Sequence, residues 1–373
     1  MLNEQLALCA ELYNAALQER KEAYRLCGKS ITFAQQCAQL LGIKAIRPEY
    51  EAIYSQVLQD VLHRVDKAFK AFFSRVKAGQ TPGYPRYKSR SRYASLTYPQ
   101  KGFGIDEQGK LSLSKIGHLK IVQHRPTRGI VKTCSIVRNR TGKWFVCFSC
   151  DEVEPQVLPA SGEHVGIDVG LKTFAYLSTG EKIATPGFFR EEAKQLVKAQ
   201  RRLSKVERGS PERHKRRKVL ARIHERIRWR RENFVLQESR KLVNRFGLIA
   251  VESLAVSNML KRPRPKRDEV TGQYVPNGAS SKTGLNTSIA DAAWSAFFMT
   301  LVAKAEETGR HVVRVPPAYT TQACNDCGHR QVMPLSARIY TCERCGVVRD
   351  RDYNASLNIL KAALGRQSVV LGT

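Results

Sequence analysis

The sequence has 373 residues, long enough to bury a substantial core and to form two or three domains. Its 63 Lys and Arg against 33 Asp and Glu leave a net charge of +30. That excess is too large for an ordinary enzyme of small metabolites and points to a polyanion. The sequence shows no long apolar run, signal peptide or lipidation motif, so the expectation is a cytoplasmic, nucleoid-associated protein acting on nucleic acid, with no membrane partner.

Residues 2–27 read as a helix, with Leu2, Leu6, Cys9, Leu12, Tyr13, Ala16 and Leu17 on one face and Gly28 closing it. A second helix is predicted over Pro48–Lys77, where apolar residues from Ile53 to Val76 keep helical spacing and read as core. Together these make a helical module over 1–78. Gly79–Tyr87 is rich in Gly and Pro and marks a boundary. From there the signals are short and β-like, at Ser95–Tyr98, Lys110–Leu113, His118–Val122, Ile130–Val137 and Lys143–Cys150. A small antiparallel barrel with its linker is expected over 79–160. Arg86, Lys88, Arg90 and Arg92 interleave with Tyr84, Tyr87 and Tyr93, a mix that suits unpaired bases and equally a solvated basic loop. Cys9, Cys27, Cys37, Cys134, Cys147 and Cys150 form no framework and read as buried thiols in a reducing compartment.

After the linker Glu154–Pro159, His164-Val-Gly-Ile-Asp168-Val-Gly170 gives an apolar strand with an acid near its end, opening a β-meander. RNase H-like nucleases and actin-like ATPases both use this device, and the local pattern does not separate them. Residues 190–231 carry seventeen Lys or Arg against five Glu, within a helical hairpin spanning 188–246 in which Ser210-Pro211 starts the second helix. An excess of twelve positive charges on one hairpin would repel itself without a polyanion, so Arg213, Arg216 and Arg217 are expected to contact phosphate. Gly247–Leu254 is a buried strand containing Glu252. The Pro- and Lys-rich run Lys261–Gly284 looks mobile. A helix carrying Ile289, Ala293, Trp294, Phe297, Leu301 and Val302 and the strand His311–Val315 complete an α/β region over 161–318.

Residues 319–348 contain Cys324-x-x-Cys327 and Cys342-x-x-Cys345, fourteen residues apart. Two such knuckles suit one tetrahedral Zn²⁺, with Gly328 and Gly346 supplying the backbone freedom each turn needs. Asp350-Arg-Asp352 follows and opens an apolar-periodic helix over 349–364, with 365–373 as a tail. An isolated Asp there is ordinarily a helix cap. Asp168 and Glu252 change that reading, because three carboxylates gathered at one sheet edge repel unless divalent cations neutralise them. Two Mg²⁺ (or Mn²⁺) ions about 4 Å apart would do so and would clamp a scissile phosphodiester.

On these residues the chain resembles the TnpB (OrfB) family, transposon-encoded proteins related to the compact type V CRISPR effectors. The resemblance rests on Gly166-Ile-Asp168-Val-Gly170, Val251-Glu252-Ser-Leu254, Ile289-Ala-Asp291-Ala-Ala-Trp294, the four zinc cysteines and Asp350-Arg-Asp352-Tyr-Asn354-Ala. Gly83-Tyr84-Pro85-Arg86-Tyr87-Lys88 and Tyr13-Asn14-Ala-Ala-Leu17 resemble its N-terminal motifs, so the similarity spans nearly the whole chain. It implies an α/β protein: an RNase H-like RuvC nuclease domain with an inserted zinc ribbon, plus an N-terminal β-barrel with a helical insertion. It also implies an RNA-guided, divalent-metal-dependent DNA endonuclease, a monomer whose partners are guide RNA and target DNA. Asp168, Glu252 and Asp352 would carry the catalytic metals, and Asp350 would lie outside that triad. The family usually begins with a short strand before the first helix, whereas this sequence opens inside that helix, so an open barrel is expected. The alternatives are a transposase acting by strand transfer on transposon ends and a cleavage-impaired RNA-guided DNA-binding protein. An actin-like ATPase fits neither the charge nor the zinc knuckles.

Overall fold

The computed structural model describes residues 1–334 and 336–370, and the chain divides into two units, Met1–Glu154 and Pro155–Thr373. In the first, α1 (Leu2–Cys27) ends at Gly28, whose left-handed φ of 65° lets its N–H reach the Tyr24 carbonyl. Leu6, Cys9, Tyr13, Ala16 and Leu17 are buried against Val57, Leu58, Val61, Leu62 and Val65 of α4 (Ser55–Lys77). The expected single helix from Pro48 is interrupted. Pro48–Ala52 winds as a 3₁₀ turn, Ile53 is extended, and the buried Tyr50 donates its hydroxyl to the Leu8 carbonyl, which pulls the turn onto α1. The stripe also outruns the core, since Phe73 and Val76 are exposed. Between the two lie α2 (Phe33–Ala38) and α3 (Leu40–Ile46), which apolar periodicity did not reveal. Thr32 and Gln35 form a capping box at the start of α2.

The β-rich part of this unit contains two three-stranded antiparallel sheets. One is ordered β1 (Ser95–Tyr98), β5 (Ile130–Arg138), β6 (Trp144–Asp151), and the other β2 (Phe103–Ile105), β3 (Leu111–Leu113), β4 (Gly117–Leu119). Five of the six strands match the expected β signals and β2 is additional. No strand pairing joins the two sheets among the described residues, so the expected barrel is not closed. The polar, Pro- and Arg-bearing run 120–129 forms no strand that could bridge β4 to β5. Both sheets share the helical core through Leu96, Tyr98, Leu111, Leu113, Cys134 and Ile136. Of the six cysteines expected to be buried, Cys9 and Cys134 are, whereas Cys27 and Cys147 are exposed. Successive positions of β6 alternate faces, which sends Cys147 outward.

The second unit is organised on a five-stranded sheet ordered β9 (Lys182–Ala184), β8 (Thr173–Leu177), β7 (His164–Val169), β10 (Leu248–Glu252), β13 (His311–Val315). β7, β8 and β9 are an antiparallel meander, while β10 runs parallel to both β7 and β13. One face is covered by α6 (Pro211–Arg245), α8 (Ala279–Ala292) and α9 (Trp294–Thr308) through Val235, Leu242, Phe297 and Leu301. The other is covered by α10 (Arg351–Val370) through Ile359 and Ala363. α10 therefore continues through part of the expected tail, of which 371–373 lie outside the described residues. Gly166 sets how closely α10 approaches β7, because a Cβ there would stand 2.1 Å from the Ser356 carbonyl oxygen.

α5 (Phe188–Ser204) and α6 form the expected hairpin, with the Ser210 hydroxyl accepting the Arg213 N–H at the start of α6. The run expected to be mobile holds structure. After the short α7 (Val256–Met259), β11 (Lys266–Arg267) and β12 (Tyr274–Val275) pair around a turn in which Asp268 accepts the Val270 and Thr271 N–H groups. The helix expected through Ile289–Val302 is broken between α8 and α9 at Ala293, which holds a left-handed φ of 56°. The ribbon contributes β14 (Ile339–Thr341) and β15 (Val348–Asp350), which pair antiparallel. Among the described residues no helix is long and apolar enough to cross a membrane.

Candidate functional site

Asp168 and Glu252 reach the site from neighbouring parallel strands. β10 pairs with β7 up to Val251 opposite Ile167, so the next residue on each strand brings Glu252 beside Asp168. Glu252 is buried, and the Thr320 hydroxyl donates to its Oε1 at 2.6 Å. Burial first, then the nearby Glu252 and Asp352 carboxylates, pushes the Asp168 carboxyl up to about 8, against the opposing pull of Arg351. Burial also raises Glu252, partly offset by the Thr320 hydrogen bond.

Asp352 lies in the first turn of α10, the helix that Gly166 admits against β7. The capping role that an acid at a helix start ordinarily plays falls to Asp350, whose Oδ1 accepts the Asp352 N–H at 2.9 Å. Asp350 Oδ2 meets Lys182 Nζ at 3.4 Å. The Asp352 carboxylate is left to Arg351, whose Nε and Nη2 lie 3.1 and 2.9 Å from Oδ1, with Arg338 Nη1 at 3.8 Å from Oδ2. The three acids share one electrostatic field, but among the described residues they do not form a group with all ligand atoms within 4.8 Å. An all-carboxylate donor set, one acid buried and two half-buried, fits Mg²⁺ or Mn²⁺.

The four cysteines do converge. The ligand atoms of Cys324, Cys327, Cys342 and Cys345 all lie within 4.8 Å of one another, with Sγ–Sγ distances of 3.6 Å for Cys324–Cys345 and for Cys327–Cys342. Zn–S bonds of about 2.3 Å in a tetrahedron place sulfurs about 3.8 Å apart, so the thiols fit zinc. The N–H groups of Gly328 and Gly346, both at φ 74°, turn back to the Cys324 and Cys342 carbonyls. Backbone N–H groups of Cys345 and Arg344 pull the Cys342 thiol below its usual range, toward the thiolate a metal needs.

This ribbon is fastened to α10. Asn354 Nδ2 donates to the Ala323 carbonyl at 2.8 Å while its Oδ1 accepts the Asn325 N–H, and Asn358 Nδ2 donates to the carbonyls of both Thr320 and Ala323. Thr320, Arg338, Arg351 and the two asparagines carry no local sequence signal that assigns them these roles. Arg351 and Asn354 stand inside a family motif, but nothing nearby distinguishes the others.

The basic residues divide. Arg86 and Arg90 are exposed and make no ion pair among the described residues. The Lys88 ammonium lies 4.3 Å from the Tyr13 ring centroid and 5.6 Å from that of Tyr93, a tyrosine that is itself buried rather than available for stacking. Burial lowers the Lys88 pKa, and Asn14 exchanges hydrogen bonds with the Lys88 backbone, so the two N-terminal motifs form one structural clasp. Arg213 Nη1 donates to the Leu203 and Val206 carbonyls and closes the hairpin turn. Arg216 pairs with Glu212 at 2.7 Å, while Arg217 is exposed. The exposed face of α5 instead presents Lys194, Lys198, Arg201, Arg202 and Lys205 beside Val197, all without ion pairs among the described residues. Asp291 anchors the hairpin root by accepting Arg231 Nη2 at 2.7 Å and the Phe189 N–H.

Replacing Lys198, Arg201 and Arg202 with Ala is therefore expected to flatten the slope of log nucleic-acid affinity against log salt by about 0.7–0.9 for each phosphate the face no longer neutralises. Arg213→Ala should chiefly destabilise the hairpin. A salt titration in which the triple variant keeps the wild-type slope would show this face to be merely solvated.

Comparison with known proteins shows what this chain is similar to. Residues 147–263 match a family described as "Probable transposase", and residues 294–359 match one described as "Cas12f1-like, TNB domain". A "Putative RNA-guided DNA endonuclease" of Streptomyces pristinaespiralis is 35% identical over 368 residues, covering 95% of this chain and 84% of that protein. The "Putative RNA-guided DNA endonuclease InsQ" of Escherichia coli (strain K12) is 30% identical over 359 residues, covering 95% and 86%. Among solved structures, a Cas12f1–sgRNA–target DNA complex matches with a TM-score of 0.58 at 16% identity, over 95% of this chain and 81% of that one. At that identity the likeness is one of fold.

Proposed function

This chain belongs to the TnpB (OrfB) family of RNA-guided DNA endonucleases, and from that premise we propose that it cuts guide-matched DNA by hydrolysis at Asp168, Glu252 and Asp352. The observation that carries the assignment is the placement of Asp168 and Glu252 at adjacent parallel strand ends with Asp352 delivered by α10. The meander-then-parallel sheet order supports an RNase H-like, RuvC-type nuclease domain over 161–318 and 349–364, interrupted by the zinc ribbon at 319–348. The modules at 1–78 and 79–160 are assigned to guide RNA and target DNA, and the working form to a monomer.

Asp168, Glu252 and Asp352 would hold the divalent cations. Such ions, when bound, generate the nucleophilic water near neutral pH and stabilise the attacking and leaving oxygens of the phosphodiester. The chain's own residues prepare the site for this. Burial of Glu252 limits competing water at its carboxylate, and Asp350 fixes the first turn of α10. Arg351 and Arg338 balance the charge of Asp352, the acid that would hold a cation from α10. Base pairing reads the target while the protein reads backbone and a short flanking motif.

The test is to purify the chain from cells carrying its native locus and sequence the RNA that accompanies it. A discrete transcript bearing a variable guide is expected, and reprogramming that guide should redirect Mg²⁺-dependent plasmid cutting. Joining of transposon ends to target DNA without any RNA would overturn this reading in favour of strand transfer.

A further inference from the structure

The buried Glu252 carboxylate receives its hydrogen bond from outside the sheet. Thr320, 7% exposed, donates its hydroxyl to Oε1 at 2.6 Å, in the range of a charge-assisted O–H···O⁻ bond. Thr320 lies between β13 and the first zinc knuckle. Its carbonyl accepts Asn358 Nδ2 at 2.8 Å, and the same amide reaches the carbonyl of Ala323, the residue before Cys324. The preceding residue, Tyr319, holds a left-handed φ of 67° with the Arg330 guanidinium 4.4 Å from its ring centroid. A side-chain-bearing residue keeps that backbone only where its surroundings over-determine it. The hydroxyl of Thr320 is thus placed by the ribbon, by α10 and by a strained neighbour together.

We propose that Thr320 is a positioning residue through which the zinc ribbon fixes the Glu252 carboxylate for divalent-cation binding. The proposal rests on the assignment of Glu252 as a catalytic-metal ligand. The hydroxyl occupies one lone pair of Oε1, keeps the carboxylate from rotating, and leaves the remaining lone pairs for a cation. A threonine that merely satisfied a buried acid would need no strained anchor and no tie to the metal knuckle.

The experiment compares Thr320→Val, which keeps the shape and removes the hydroxyl, with Thr320→Ser, which restores it. The probe is Mn²⁺, titrated by electron paramagnetic resonance into the zinc-loaded full chain free of RNA, whose phosphates would bind Mn²⁺ themselves. Thr320→Val should bind Mn²⁺ about tenfold or more weakly with its zinc retained, and its cleavage should need correspondingly more Mg²⁺. Thr320→Ser should titrate like wild type. A Thr320→Val protein with wild-type Mn²⁺ affinity, or a Thr320→Ser protein as weak as Thr320→Val, overturns the proposal alone. If wild type shows no Mn²⁺ site that Asp168→Ala removes, the assignment of the acids falls, and this proposal with it. Should Thr320→Val lose zinc, Thr320→Ala carries the same comparison.

Discussion

Alanine at Asp168, Glu252 or Asp352 is expected to lower guide-directed DNA cleavage by on the order of 10³-fold or more while leaving RNA and DNA binding largely intact. The carboxylates act on cations that act on one phosphate, whereas binding rests on base pairing and on remote lysines and arginines. Losses at the three positions should be far from additive, because removing one ligand already dismantles the site. Asp350→Asn is the internal control. Asp350 caps α10 through Oδ1, and an asparagine amide oxygen can accept the same N–H, so this variant should retain most activity. A plasmid-cutting assay run beside a filter-binding assay decides the matter. An Asp168→Ala protein that still cuts would remove the acids from the mechanism.

The same acids set a pH dependence. Asp168 is raised to about 8 from an ordinary carboxyl value near 4, so its protonated form is the one that folding favours. That contribution to the metal-free protein is fully present below about pH 4 and is lost as pH rises through about 8. Cations compete with the proton for this carboxylate. Thermal stabilisation by Mg²⁺ should therefore grow from pH 6 to pH 8.5 in wild type and lose that growth in Asp168→Asn.

Where the chemistry is local, the sequence was legible. Two Cys-x-x-Cys turns followed by glycine specify a metal knuckle wherever they lie, and an aspartate in an apolar strand demands a reason that survives any detail of packing. The sheet's strands were equally readable, because each is a short apolar run between turn residues. What escaped depends on partners far along the chain. Lys88 and Arg213 count as free cations in a sequence, and only the fold shows one over tyrosine rings and the other on a turn's carbonyls. Thr320 lies sixty-eight residues from the acid it holds, and nothing near it marks the pairing. The 3₁₀ turn at Pro48–Ala52 and the break at Ala293 are tertiary choices, imposed on segments whose spacing alone reads as continuous helix.

Loss of the zinc knuckle should be as damaging as loss of an acid, by a different route. Structural zinc supplies an apparent free energy of about 10–16 kcal/mol in small ribbons, so Cys342→Ser removes most of what orders residues 319–348. In this chain the damage does not stay there. Asn354, Asn358 and Lys361 of α10 bond to the carbonyls of Thr320, Ala323 and Asn325, so an unfolded ribbon strips α10 of its tether in the turns just after Asp352. The same event releases Thr320 from Glu252 and Arg338 from Asp352. Two of the three acids would lose their supports, while Asp168, fixed by β7 between β8 and β10, would keep its place. Cys342→Ser is therefore expected to lose its zinc and to cleave on the order of 10³-fold more slowly, and stripping wild type with a chelator should do the same until Zn²⁺ is restored. Zinc content by atomic absorption, read beside cleavage, checks both. A Cys342→Ser protein with full zinc and full activity would show that these four thiols hold no structural metal.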